Sequence, residues 1–265
     1  MTLAELDAAY DNTAAVKNSA EILAGFETRG AEIAKRFAAT MDLRYGRKVR
    51  ERYDYFPARK DAPLLIFIHG GYWQMRAKET FRFLAKGPLS QGFHFASIGY
   101  TLAPEYTLPE IISEVRGAIV KIRSVAKKYG ADDSRVILCG WSAGAHLAVS
   151  ALDLPGVIGA LAISGIYDLE PIARGSLNRA LRLSAEDIAL LSPLRMPFVQ
   201  KNVIAACGGE ELPELQRQTW NFMRARAAQG LPGLSATLPR RNHFTVLEEL
   251  EKPQGSLTKL LKFFC

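Results

Sequence analysis

Cysteine is scarce in this chain, with three in 265 residues, at Cys139, Cys207 and Cys265. An odd number at wide spacing excludes a disulfide framework and offers no ligand spacing for a zinc site. Cys139 and Cys207 end apolar, strand-like runs and read as small buried hydrophobes. Long hydrophobic runs are also missing. Leu64–Ile68 and Val157–Ile163 are far too short to span a bilayer, so no membrane partner is expected. No basic segment leads an apolar one at the N-terminus, where Glu5, Asp7 and Asp11 stand instead. A secretory signal is therefore not read there, and a cytoplasmic location is expected. The net charge is +7, but its basic residues are scattered, as at Arg47-Lys48, Lys127-Lys128 and Arg240-Arg241. Without an aromatic-interleaved basic stripe, no nucleic-acid partner is expected.

What is present is enough apolar material, 48% of residues, for one sizeable core. A single domain over residues 1–265 is expected. Residues 3–39 carry a roughly helical stripe of Ile22, Leu23, Phe26, Ile33 and Phe37, within a helical segment over 1–45. Short apolar runs predict strands at 50–56, 64–68, 93–98, 135–139, 157–164, 202–207 and 234–238. Helices are predicted over 109–129, 145–152 and 213–229, and over 245–264 with a break near Pro253. Pro171, Pro193 and Pro197 punctuate a cap-like insertion of short helices over 171–197. From residue 64 strands and helices alternate, which implies an α/β fold: a mostly parallel, doubly wound sheet with helices on both faces. In such sheets function gathers at the carboxyl ends of the strands.

One of those ends carries Gly140-Trp141-Ser142-Ala143-Gly144. Strand, tight turn with a serine, then helix is the arrangement of a nucleophile elbow. The glycines remove side chains where strand and helix backbones converge. The turn lifts the serine hydroxyl to the helix N-terminus, where free N–H groups favour developing negative charge. A second end carries His69-Gly70-Gly71-Tyr72-Trp73. A His-Gly-Gly turn lets backbone N–H groups converge on one point and suits an oxyanion hole, with Gly71, Tyr72 and Ala143 as the expected donors. His69 itself is expected to order the loop. The general base is expected in a late loop, at His243, after the final strand. His94 starts a strand and His146 lies inside the elbow helix, so neither suits that role. The acid that orients the base is sought after the 202–207 strand, among Glu210, Glu211 and Glu214, with Asp168 one strand earlier as rival.

These motifs resemble the kynurenine formamidase (arylformamidase) branch of the α/β-hydrolase superfamily. The resemblance is carried by the His-Gly-Gly-Tyr-Trp turn, Ser142-Ala143-Gly144-Ala145-His146-Leu147 and Ser164-Gly165-Ile166-Tyr167-Asp168-Leu169-Glu170-Pro171. It extends to Leu6–Tyr10 with Asp11-Asn12, to Glu211-Leu212-Pro213-Glu214-Leu215-Gln216-Arg217-Gln218 and to His243-Phe244. It thus spans nearly the whole chain. It implies an α/β-hydrolase fold and a Ser142–His243–Glu211 triad, and makes Asp168 structural. The implied reaction is hydrolysis of an aryl formamide such as N-formylkynurenine, with carboxylesterase or other amidase activity as the alternative. That cycle needs no metal or organic cofactor, only a small-molecule substrate; a homodimer is compatible with it. Tyr72, Trp73 and Tyr167 are expected as aromatic walls of the pocket. The chain departs from the branch's pattern at Trp141, Leu212, Leu215 and Thr245. None of these touches the triad, but they put substrate identity in question.

Overall fold

A computed structural model describes residues 1–264; Cys265 lies outside the described residues. Eight strands form one sheet: β1 (Thr40–Arg44), β2 (Arg52–Phe56), β3 (Ala62–Ile68), β4 (His94–Ile98), β5 (Ala131–Trp141), β6 (Val157–Ile163), β7 (Asn202–Gly208) and β8 (Gly233–Leu238). Their order is β1-β2-β4-β3-β5-β6-β7-β8. The β1–β2 and β2–β4 pairs are antiparallel, and every later pair is parallel.

Period-two alternation along β3 explains the layers. Leu64, Ile66 and Ile68 join one apolar cluster, and Leu65 and Phe67 join the other. Both faces of the strand are buried, as a parallel sheet covered on both sides requires. The helices are α1 (Leu3–Tyr10), α2 (Asn12–Ala15), α3 (Ser19–Arg36), α4 (Lys86–Ser90), α5 (Leu108–Ala126), α6 (Ala143–Val149), α7 (Glu170–Arg174), α8 (Asn178–Leu181), α9 (Ala185–Leu191), α10 (Pro213–Ala228), α11 (Glu248–Glu251) and α12 (Ser256–Leu260). On one face α5 packs Ile111, Val115, Ile119 and Ile122, and α10 packs Leu215 and Phe222. On the other α3 packs Leu23, Phe26 and Ile33, with Leu250 and Leu257 of α11 and α12. Cys139 and Cys207 are buried free thiols. No helix among the described residues is long and apolar enough to cross a membrane.

Two expectations are corrected. The helical reading of 3–39 resolves into three helices. Asp11 ends α1 and turns its carboxylate to the Ala14 N–H as the cap of α2, so the chain bends there. Residues 40–44, expected within the helical segment over 1–45, instead form the sheet's antiparallel edge. Asp42 interrupts its register at a φ of 56°, with its N–H donated to the Asp54 carboxylate.

Candidate active site

The elbow is built as the sequence implies. Ser142 stands between β5 and α6 with φ 57° and ψ −122°, a conformation few non-glycine residues adopt. Its N–H donates to the Ile163 carbonyl at 2.8 Å, which holds the strained turn to β6. A Cβ on Gly140 would lie 2.1 Å from the Gly144 carbonyl oxygen, and one on Gly144 would lie 2.1 Å from that of Ile68. Only glycine permits these approaches.

The His69–Tyr72 turn packs directly on the elbow. A Cβ on Gly70 would lie 2.9 Å from that of Ser142. Gly71, Tyr72 and Trp73 all have positive φ, which coils the turn left-handed beside Ser142. Gly71, Tyr72, Ser142 and His243 line one cavity of about 390 Å³, a size suited to a small organic molecule.

His243 is almost fully buried, and its Nδ1 lies 3.0 Å from Glu211 Oε2. Glu211 follows β7, and its other oxygen accepts the Ser164 hydroxyl at 2.6 Å and the Gly208 N–H. The remaining candidate acids are committed elsewhere. Asp168 pairs with Arg195 at 3.1 Å and accepts the Glu170 N–H at 3.2 Å. Glu214 accepts the Tyr10 hydroxyl at 2.7 Å and binds Arg217. Glu210 is exposed.

The other histidines are also accounted for. His69 Nδ1 donates to the Gly70 carbonyl at 2.7 Å, and its ring stacks on Tyr100 at 4.3 Å. Burial pulls its pKa down to about 3, so it stays neutral. His146 donates Nε2 to the Leu191 carbonyl at 2.9 Å, and burial lowers its pKa to about 4. His94 begins β4, opposite Leu64, at the far end of the strands from the elbow. Among the described residues no group of three or more His, Cys, Asp or Glu side chains is placed to hold a metal ion.

The aromatic walls need correction. Tyr72 lines the cavity, but Trp73 and Tyr167 lie outside its lining. Trp73 is fully buried and meets His146 edge-on at 5.0 Å. Tyr167 is fully buried and stacks on Phe222 at 4.1 Å. Both rings therefore build core, and Trp141 takes up the aromatic lining. Its ring lies 4.8 Å from that of His243, and its Nε1 donates to the His243 carbonyl at 2.9 Å. The residue in the variable elbow position thus also anchors the histidine loop.

The N-terminal helical segment and the 171–197 insertion both contribute to the lining of the cavity. Leu6, Asp7 and Tyr10–Thr13 come from the N-terminal helices, and Pro171, Ile172 and Gly175–Leu177 from the insertion. Tyr72 fastens this roof: its hydroxyl accepts from Asn12 Nδ2 at 2.8 Å and donates to the Tyr10 carbonyl at 2.5 Å. Asp7 joins the two segments by accepting the Ser176 N–H and hydroxyl.

Ser164 is the contact that sequence reading missed, although it opens a motif already noted. At φ 52° it sits in a region that favours glycine, with its N–H held by the Ala206 carbonyl at 2.7 Å. Removing a buried hydroxyl bound to a carboxylate typically costs about 1.5–3 kcal/mol. If that hydroxyl holds Glu211 for catalysis, Ser164→Ala and Ser164→Gly should each lose about tenfold or more in kcat. Glycine relieves the backbone strain, so the two variants should differ in melting temperature. Parent-like kcat in either variant refutes the role.

A sheet in this strand order, with a strained serine between β5 and α6, defines an α/β-hydrolase. Comparison with known proteins narrows the class. A family model described as BD-FAE matches residues 55–153. Kynurenine formamidases of Danio rerio and Salmo salar are 34% and 33% identical, each over 88% of this chain and 84% of theirs. The chain belongs to the kynurenine formamidase family and is a hydrolase. Among solved structures, a candidate thioesterase from Silicibacter sp. TM1040 superimposes with a TM-score of 0.87 at 28% identity, covering 97% of this chain and 99% of that one. An esterase from Pyrobaculum calidifontis shares the fold, with a TM-score of 0.76 at 16% identity over 92% of each chain.

Proposed function

We propose that this hydrolase cleaves aryl formamides, such as N-formylkynurenine, through a Ser142–His243–Glu211 triad. The observation that carries the triad is the buried His243–Glu211 pair at 3.0 Å, beside a cavity that His243 shares with Ser142. Ser142 attacks the formyl carbon while His243 takes its proton. Glu211 holds the imidazole in one tautomer and stabilises the imidazolium. The N–H groups of Gly71, Tyr72 and Ala143 are the oxyanion donors, each worth roughly 3–4 kcal/mol of barrier. His243 then protonates the leaving amine, and water repeats the sequence to release formate. The formamide reading draws on the two formamidases that match over most of the chain.

A carboxylesterase is the second reading. Esterase LipQ of Mycobacterium tuberculosis is 36% identical over 126 residues, 44% of this chain and 30% of that one. One comparison separates the readings. The catalytic efficiency kcat/KM toward N-formylkynurenine should exceed that toward p-nitrophenyl acetate, relative to each uncatalysed rate. Turnover of the ester with the formamide untouched overturns the formamidase reading and leaves the esterase.

A further inference from the structure

Besides Tyr10 and Tyr72, four ionisable residues line the catalytic cavity: Asp7, Asp11, Arg76 and His243. Three have committed side chains. Asp7 accepts two hydrogen bonds from Ser176. Asp11 caps α2 through the Ala14 N–H, and His243 faces Glu211. Arg76 differs. Among the described residues its guanidinium makes no hydrogen bond to a protein acceptor, and no carboxylate lies within 4.0 Å of it. Glu27 acts on it only at longer range, and the Glu27 carboxylate accepts the Thr80 hydroxyl at 3.3 Å.

Its placement is nonetheless fixed. Arg76 has φ 78°, a strained value for a side-chain-bearing residue, and its carbonyl accepts from the Arg50 guanidinium. Its stem packs on the oxyanion turn, where a Cβ on Gly71 would lie 2.9 Å from Arg76 Cγ. The side chain is half-buried, and burial lowers the pKa of its guanidinium. A partly dehydrated cation with no carboxylate in contact gains from an anionic ligand, and a guanidinium matches a carboxylate in a two-pronged geometry.

We propose that Arg76 forms an anion-binding subsite of the catalytic cavity, selecting substrates that carry a carboxylate away from the scissile bond. It deepens the hydrolase reading and rests on Ser142 as nucleophile, but not on the formamide. The site accepts one negative charge on the substrate, near the wall formed by Gly71, Tyr72 and Gln74–Arg76. Arg76 binds and orients that group and takes no part in proton transfer.

The test uses matched phenyl acetates bearing either a carboxylate or a carboxamide at the meta or para ring position. In the parent enzyme the carboxylate ester should have the higher kcat/KM at one position or both, mainly through KM. In Arg76→Gln that preference ratio should fall by about tenfold or more, the scale of a hydrogen bond to a charged group. Arg76→Lys, which keeps the charge, should retain part of it. Equal efficiencies for the pair in the parent, or an unchanged ratio in Arg76→Gln, overturn the assignment while leaving the triad intact. If the probes are not hydrolysed, their inhibition constants against N-formylkynurenine are compared in the same way, and equal values overturn the assignment; loss of that activity too would sink the nucleophile reading, and the subsite with it.

Discussion

Replacing Ser142 with alanine should lower kcat for any ester or amide substrate by about 10⁵-fold or more, the scale seen when a triad nucleophile is removed. The loss should fall on kcat, because the rest of the cavity lining and the backbone N–H groups near it are unchanged. The fold should survive. Serine and alanine carry the same Cβ at φ 57°, and the turn is held by a backbone bond to Ile163 that both can make. Circular dichroism and thermal melts alongside single-turnover kinetics would separate the two effects. Turnover above about one-hundredth of the parent rate, in a preparation shown free of parent enzyme, would remove Ser142 from the mechanism.

The second large effect concerns the acid. Glu211→Gln should lower kcat by roughly 10³–10⁴-fold, because an amide facing His243 Nδ1 favours the wrong tautomer and does not stabilise the imidazolium. Asp168→Asn should change kcat by less than about threefold. It weakens a partly exposed ion pair with Arg195, of a kind usually worth about 0–1 kcal/mol. The two variants assayed together on one substrate decide the matter. A larger catalytic loss for Asp168→Asn, with both proteins folded, would transfer the acid's role one strand earlier.

Legibility in the sequence followed the range of the contact that carried each feature. Gly140–Gly144 could be read directly because a local constraint sets it: only glycine clears Gly144 and Ile68. Chain order singled out His243 as the candidate base. It did not single out the acid, because Glu210, Glu211 and Glu214 share one short stretch and differ only in where their side chains end. The resemblance to a known branch pointed to Glu211; its contacts with Ser164, Gly208 and His243 are matters of folded geometry. The expected walls failed for a similar reason. Neighbours in one motif can face different layers, so Tyr72 reaches the cavity while Trp73 enters the core. β1 escaped notice because it is a short, half-exposed edge with a register break. The Asn12–Tyr72 and Tyr10–Glu214 contacts join residues 60 and 204 positions apart, beyond any local pattern.

Those long-range contacts also bear on how the cavity comes into being. Its lining runs from Leu6 in α1 to Phe244 beyond β8, so it draws on elements far apart in the chain. During synthesis α1 leaves the ribosome early, yet Glu214 and Gln218, the partners of the Tyr10 hydroxyl, follow more than 200 residues later. Closing so long a loop is entropically costly and is repaid only once α10 is in place. The roof is thus expected to form late in folding, and no fragment that lacks α1 or the His243-Phe244 segment contains the whole cavity.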